Sequence, residues 1–374
     1  MRKIFIFFTF IIFALSVLTS CRPPELEGAY VDYNNDRKDS ALELAKEATE
    51  KYPDNAEAPY LLGTIYGEKG MYKEMIESFN KSLQRSDEFK DDIEQSKLYY
   101  FQSEYKKGYD NFVNYQNAAG DTSEQTMQLL KSAYEHAKNA SIIRPNDYST
   151  VKLAALAANY QDDYDKAKEE FQELTKIRPD TVDGWFQLGR LYFNEKNYKK
   201  AIEYEKKAFD VDSNFVMAME LIAFAYENLN DTTNAIDAYK KAISLDPNNI
   251  SYLFNLGLIY NKQAATAGSE DVQKEKYAMA EKYFARALSI NPDELEDFQR
   301  TLYDSNLEIL YSLTVVAQIQ QRKFKEALAT ENFCSPFLFS IFRQIIGKRF
   351  QFNRHILIFN QNIIRNFNRY LGKV

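Results

Sequence analysis

In VDGWFQLGRLYFNEKNYKKAIEYEKKAFDVDSNF, residues 182–215, Trp185, Leu188, Gly189 and Tyr192 fall at i, i+3, i+4 and i+7. That spacing places them on one face of a helix. The polar run NEKN interrupts the period, which resumes at Tyr198, Ala201, Ile202 and Ala208. The pattern predicts two helices joined by a short turn. Pro145, Pro179, Ser213 and Pro247 stand 34 residues apart, each just past such a stretch. Proline cannot continue a helix and belongs beyond its C-terminal end. Ala133, Ala167, Ala201 and Ala235 precede these positions by 12 residues, and Ala140, Ala208 and Ala242 recur too, with Leu174 in the remaining place. Small residues such as Gly189 and Ala201 let two antiparallel helices approach closely. Trp185 and Tyr192 fill the space toward the next pair. One pair cannot bury its apolar face, so pairs must stack.

The order Trp, Leu-Gly, Tyr, Ala, aromatic, Ala, Pro resembles the tetratricopeptide repeat. This window departs from it at Glu205, in the aromatic place, and at Ser213, in the proline place. The resemblance covers residues 39–331 and implies an all-α fold, a right-handed α-solenoid of helix–turn–helix repeats. Its best windows are 56–89, 148–181, 182–215, 216–249 and 250–294. Ala41, Ala45, Ala48 and Pro53 read as the second helix of a degenerate first repeat, and residues 86–101 as an added helical segment. Two windows are stretched. The alanine expected after Gly108 comes thirteen residues late, at Ala133, and the one after Gly257 eleven late, at Ala280. The inserts AAGDTSEQTM and AATAGSEDVQ resemble each other, and both predict longer helices and a wider loop. Such inserts serve equally as plain surface loops or as part of a binding face.

The first 20 residues read as a targeting segment. Arg2 and Lys3 precede an apolar run from Ile4 to Leu18, 15 residues long. A membrane-spanning helix needs roughly 20, whereas a basic start and a short apolar core are the secretory pattern. Leu18-Thr19-Ser20-Cys21 resembles the bacterial lipobox. The resemblance implies cleavage of a signal peptide, residues 1–20, and lipid on Cys21; an ordinary signal peptide with a chance cysteine is the plainer alternative. Pro23 and Pro24 then predict an extended, non-helical tether over 21–38. Arg22 stands where an aspartate would resemble an inner-membrane retention signal. In a Gram-negative cell its absence implies the outer membrane, facing the periplasm.

Charge separates the body from the tail. Residues 21–331 carry 38 Lys and Arg against 54 Asp and Glu, a net of −16. Such a body repels nucleic acid. Residues 332–374 hold 7 basic residues, eight Phe, seven Ile and no acid. This tail reads as a segment for an anionic membrane surface or glycan, as a loose cap, or as the product of a shifted reading frame. If Cys21 carries lipid, Cys334 has no disulfide partner. The two histidines, His136 and His355, stand in no metal-ligand spacing. Asp210, Asp212 and Asn214 suggest a calcium loop, but Phe215 and Leu221 occupy the places of its glycine and glutamate. No Gly-x-Ser-x-Gly or phosphate-binding glycine loop occurs. The expectation is a protein that is not an enzyme, needs no cofactor and takes no small-molecule substrate.

Recognition remains. The family resemblance implies that first helices line a concave groove. Here that face comprises Lys152, Leu156, Asn159 and Tyr160, then Phe186, Gln187, Arg190, Phe193 and Asn194. It continues through Glu220, Phe224, Glu227 and Asn228 to Asn255, Leu258, Asn261 and Lys262. Aromatic rings, scattered charge and recurrent asparagine suit an extended peptide, whose amides need partners; asparagine near a helix end also serves as a cap. The lysine–asparagine clamp by which some family members hold a C-terminal carboxylate is missing, since Leu156 follows Lys152 and later places hold Gln187, Met217 and Leu221. The functional expectation is a lipid-anchored adaptor or scaffold for protein or peptide partners in a bacterial envelope. An assembly factor of the pilotin or outer-membrane type, or a glycan-binding accessory protein, is the alternative.

Overall fold

The computed structural model describes residues 22–118, 123–291, 300, 310, 313–314 and 317–318. Cys21, the expected signal peptide over 1–20, most of the stretch after 291 and the whole tail lie outside them. Among the described residues the secondary structure is helical, without strands. The chain divides into two compact units, residues 1–191 and 192–374.

The first unit holds α1 (Pro24–Asn34), α2 (Lys38–Lys51), α3 (Glu57–Glu68), α4 (Tyr72–Arg85), α5 (Lys90–Asn117), α6 (Glu124–Ile143), α7 (Tyr148–Tyr160) and α8 (Tyr164–Ile177). Helix α9 (Val182–Asn194) crosses the division between Leu191 and Tyr192. Successive helices pack as antiparallel pairs, α1 on α2, α3 on α4, α5 on α6 and α7 on α8. The expected tether is corrected here. Residues 24–34 form a helix that starts at Pro24, with Leu26 and Ala29 fully buried. Proline suits the first helical position, where its missing N–H would be unpaired anyway. The first repeat is therefore a complete pair.

The second unit holds α10 (Tyr198–Val211), α11 (Val216–Asn228), α12 (Thr232–Leu245), α13 (Ile250–Ala265) and α14 (Glu270–Leu288). Its core joins Ile222, Ala235, Tyr239, Leu253, Leu256 and Phe284, and Leu310 and Leu313 pack into the same cluster. Both inserts lengthen helices. The pair α5/α6 has 28 and 20 residues and α13/α14 has 16 and 19, against 13 and 14 for α7/α8.

The repeat positions read from the sequence are the packing positions. Ala133, Ala167, Ala201 and Ala235 are fully buried, as are Ala140, Leu174, Ala208 and Ala242. A Cβ on Gly63 would stand 2.5 Å from the Phe79 ring, and one on Gly257 only 2.4 Å from that of Phe284. The Leu-Gly step thus admits the aromatic ring of the second helix, and any side chain there would displace it. In the 182–215 window Glu205 is fully buried in that aromatic place. The turns repeat as well. Asp36 and Gly70, and then Asp162, Lys196 and Asn230, take positive φ between the two helices of a pair. At the third-window turn Asn197 N–H donates to Tyr192 O at 2.8 Å and Lys196 N–H to Phe193 O at 2.9 Å. This is a Schellman closure, which needs one left-handed residue. The next residue caps the second helix. Asp163, Asn197 and Asp231 each accept a backbone N–H three residues on.

Candidate functional site

The first helices of the regular pairs turn one side toward their partners and leave another open. In the first unit Tyr160, at the end of α7, is 45% exposed. Its ring lies 5.8 Å from Phe112 and 5.6 Å from Tyr115, both on the lengthened α5. Asn159 beside it is half-buried. On α9, Phe186 and Gln187 are half-buried and Arg190 is exposed, its guanidinium 5.8 Å from the Phe186 ring centre. Lys152 does not stand open. It is ion-paired with Asp183, which also accepts the Tyr148 hydroxyl at 2.8 Å. Burial pushes the Asp183 carboxyl up, but the bonds from Lys152 and Tyr148 outweigh it and hold it below its ordinary value.

In the second unit Phe193 is half-buried against Tyr198 at 5.3 Å, and Asn194 is exposed. On α11 Glu220 and Phe224 are half-buried, while Glu227 and Asn228 reach solvent. Asn228 Nδ2 donates to the Phe224 carbonyl of its own helix at 2.8 Å, so that amide is turned back onto the helix. Glu220 accepts the Tyr252 hydroxyl at 3.3 Å and Glu227 the Tyr239 hydroxyl at 2.6 Å. Burial raises the Glu220 carboxyl above its ordinary value, offset only in part by Tyr252. Glu227 moves the same way, burial leading and Tyr239 and Lys262 opposing. Asn255 and Asn261 differ from the expectation of displayed amides, at 5% and 3% exposure. Helix α13 is covered around most of its circumference, with Tyr252, Leu253, Phe254 and Leu256 buried too. Leu258 is half-buried and Lys262 exposed.

A third polar cluster knits α4, α5 and α6 together. Glu104, 2% exposed, accepts from Tyr72 Oη (3.1 Å), Lys107 Nζ (2.8 Å) and Asn139 Nδ2 (3.0 Å), and lies 2.7 Å from His136 Nδ1. Burial alone would raise this carboxyl, but the bonds from Lys107, His136 and Asn139 bring it down to about 2. His136 is thereby tied into the packing. Sequence reading missed Asp183, Tyr252 and Glu104. Their signal was separation. Lys152–Asp183 spans 31 residues, Tyr252–Glu220 32 and Tyr72–Glu104 32, close to one repeat, because stacking brings equivalent places of neighbouring pairs together.

Family profiles described as tetratricopeptide repeat match residues 152–214, 56–89 and 265–294, and one described as TPR repeat matches 223–263. This is a tetratricopeptide-repeat protein. Such repeats stack into scaffolds whose extended surfaces bind other proteins, a module that is typically not catalytic. No curated protein matches the chain. Solved structures that resemble this repeat protein include MamA from Desulfovibrio magneticus, at 22% identity over 49% of this chain and 98% of that one, TM-score 0.37. A Pseudomonas aeruginosa pilF structure matches at 12% over 67% and 95%, TM-score 0.41. A tetratricopeptide repeat protein from Parabacteroides merdae matches at 15% over 82% and 90%, TM-score 0.34. Among the described residues of the repeat protein, no helix is long and apolar enough to cross a membrane.

Proposed function

We propose that this chain is a non-enzymatic adaptor, held at a bacterial envelope membrane through lipid on Cys21, whose first-helix faces engage protein or peptide partners. The observation that supports it most is the side chains those faces leave unused by the core. Tyr160 and Met217 are 45% and 47% exposed, and Arg190 stands open over Phe186. Aromatic, Met and Arg side chains are the types enriched at protein interfaces. The lipid anchor rests on the Leu-Thr-Ser-Cys motif alone, and the periplasmic side of an outer membrane on Arg22 after it.

Photo-crosslinking side chains placed singly at Asn194 and Asn228, and at Lys199 and Asp237 on second helices, test the adaptor reading in intact cells. Protein adducts from the first two positions and none from the others are expected. Equal labelling from all four would remove it. Cys21→Ser is expected to release the chain from the membrane fraction and to abolish incorporation of a labelled fatty acid. Retention of both would remove the anchor.

A further inference from the structure

Among the described residues, helix α11 carries two carboxylates that no ion pair neutralises. Glu220, Phe224 and Glu227 recur at i, i+4 and i+7, so they share one side of the helix. The hydrogen-bond partners of the two carboxylates are neutral hydroxyls, Tyr252 for Glu220 and Tyr239 for Glu227. Among the described residues neither carboxylate belongs to an ion pair, and Lys262 is the cation that bears on Glu227, from beyond bonding distance. Lys152 in the first unit shows the opposite arrangement, with its charge cancelled by Asp183. A carboxylate drawn partly out of water with only a hydroxyl for company gains from an arriving cation.

A second observation falls at the same place. Asn255, 5% exposed, lies against the Tyr239 hydroxyl that donates to Glu227, so the groups behind Glu227 are neutral as well.

Spacing selects the occupant. Seven residues of helix separate the roots of Glu220 and Glu227 by about 10.5 Å, too far for one metal ion or one ammonium group to bridge. An extended polyproline-type chain advances about 3.1 Å per residue and returns to the same side every third residue. Two basic residues at i and i+3 therefore stand about 9 Å apart on one side. The net charge of −16 over residues 21–331 draws a basic partner in from a distance.

We propose that the α11 face docks an extended, basic segment of a partner protein, with Lys or Arg at i and i+3 set on Glu220 and Glu227 and their stems across Phe224. This rests on the adaptor reading and names the chemistry of its partner. The test is selection of a random peptide library on the purified chain, followed by titration of the selected peptides. Enrichment of Lys or Arg pairs at i, i+3 is expected. Glu220→Gln with Glu227→Gln is expected to weaken them at least about tenfold, with the helical circular dichroism unchanged. Glu220→Lys with Glu227→Lys is expected to turn the selection toward acidic peptides, which a merely structural role for the two acids would not do. Selected peptides without basic residues, or binding indifferent to both double variants, overturn the inference and leave the adaptor standing. No peptide selected at all overturns it too, and the crosslinks from Asn194 and Asn228 then decide whether the adaptor reading falls with it.

Discussion

Glu104 in the first unit and Glu220 in the second are both acids on helices of stacked pairs, yet their surroundings are opposite. Glu104 meets a lysine, a histidine, an amide and a hydroxyl. Glu220 meets one tyrosine. The difference separates an acid kept for cohesion from one kept for something outside the fold. A buried carboxylate with a full set of donors ties helices together, because removing it strands its partners. A half-buried carboxylate with one neutral partner contributes little to the fold and retains its charge for a visitor.

The largest expected effect lies on the cohesive side. Glu104→Ala should cost about 3 kcal/mol, measured by urea unfolding, while Glu220→Ala should cost no more than about 1 kcal/mol. Equal costs would erase the distinction. The two acids should also oppose each other in pH. Glu104 is held at about 2 in the fold, below an unfolded value of about 4.3. Its stabilisation is complete above the unfolded value and is lost as pH falls toward 2. Glu220 is raised in the fold, so its contribution instead declines as pH rises from the unfolded value through the folded one. Unfolding midpoints of Glu104→Gln and Glu220→Gln, followed from pH 3 to pH 7, should therefore diverge from wild type in opposite directions.

Smaller effects sharpen the contrast within the faces. Asp183→Asn removes the partner of Lys152 and should cost about 0.5–1 kcal/mol, since both side chains are partly exposed. It should also leave the first unit with an open cation, detectable as new binding of acidic peptides. Smallest is Lys196→Gly, which relieves a left-handed lysine at the α9–α10 turn and should raise stability by about 0.5 kcal/mol in the same unfolding assay.

The helical pairs were legible because burial and spacing are local. Ala133, Ala167, Ala201 and Ala235 announce a period, and the fold buries each of them. Helix α1 was not, since Pro24 reads as a breaker until its place at a helix start is known. The polar partners were harder. Lys152 and Asp183, or Tyr252 and Glu220, stand a repeat apart in sequence, and only stacking joins them. Exposure along the first helices was also not fixed by repeat position. Glu227 reaches solvent on α11, while Asn261, one 34-residue repeat later on α13, is buried.

The most direct test of the account is urea unfolding of Glu220→Gln beside Glu104→Gln at pH 7. Glu104→Gln is expected to be destabilised by about 2 kcal/mol, while Glu220→Gln is expected to be as stable as wild type or more so, because a neutral side chain escapes the desolvation that raises Glu220. A loss for Glu220→Gln as large as that for Glu104→Gln would contradict it, by showing that the α11 acid holds the fold together and is not spare for a partner.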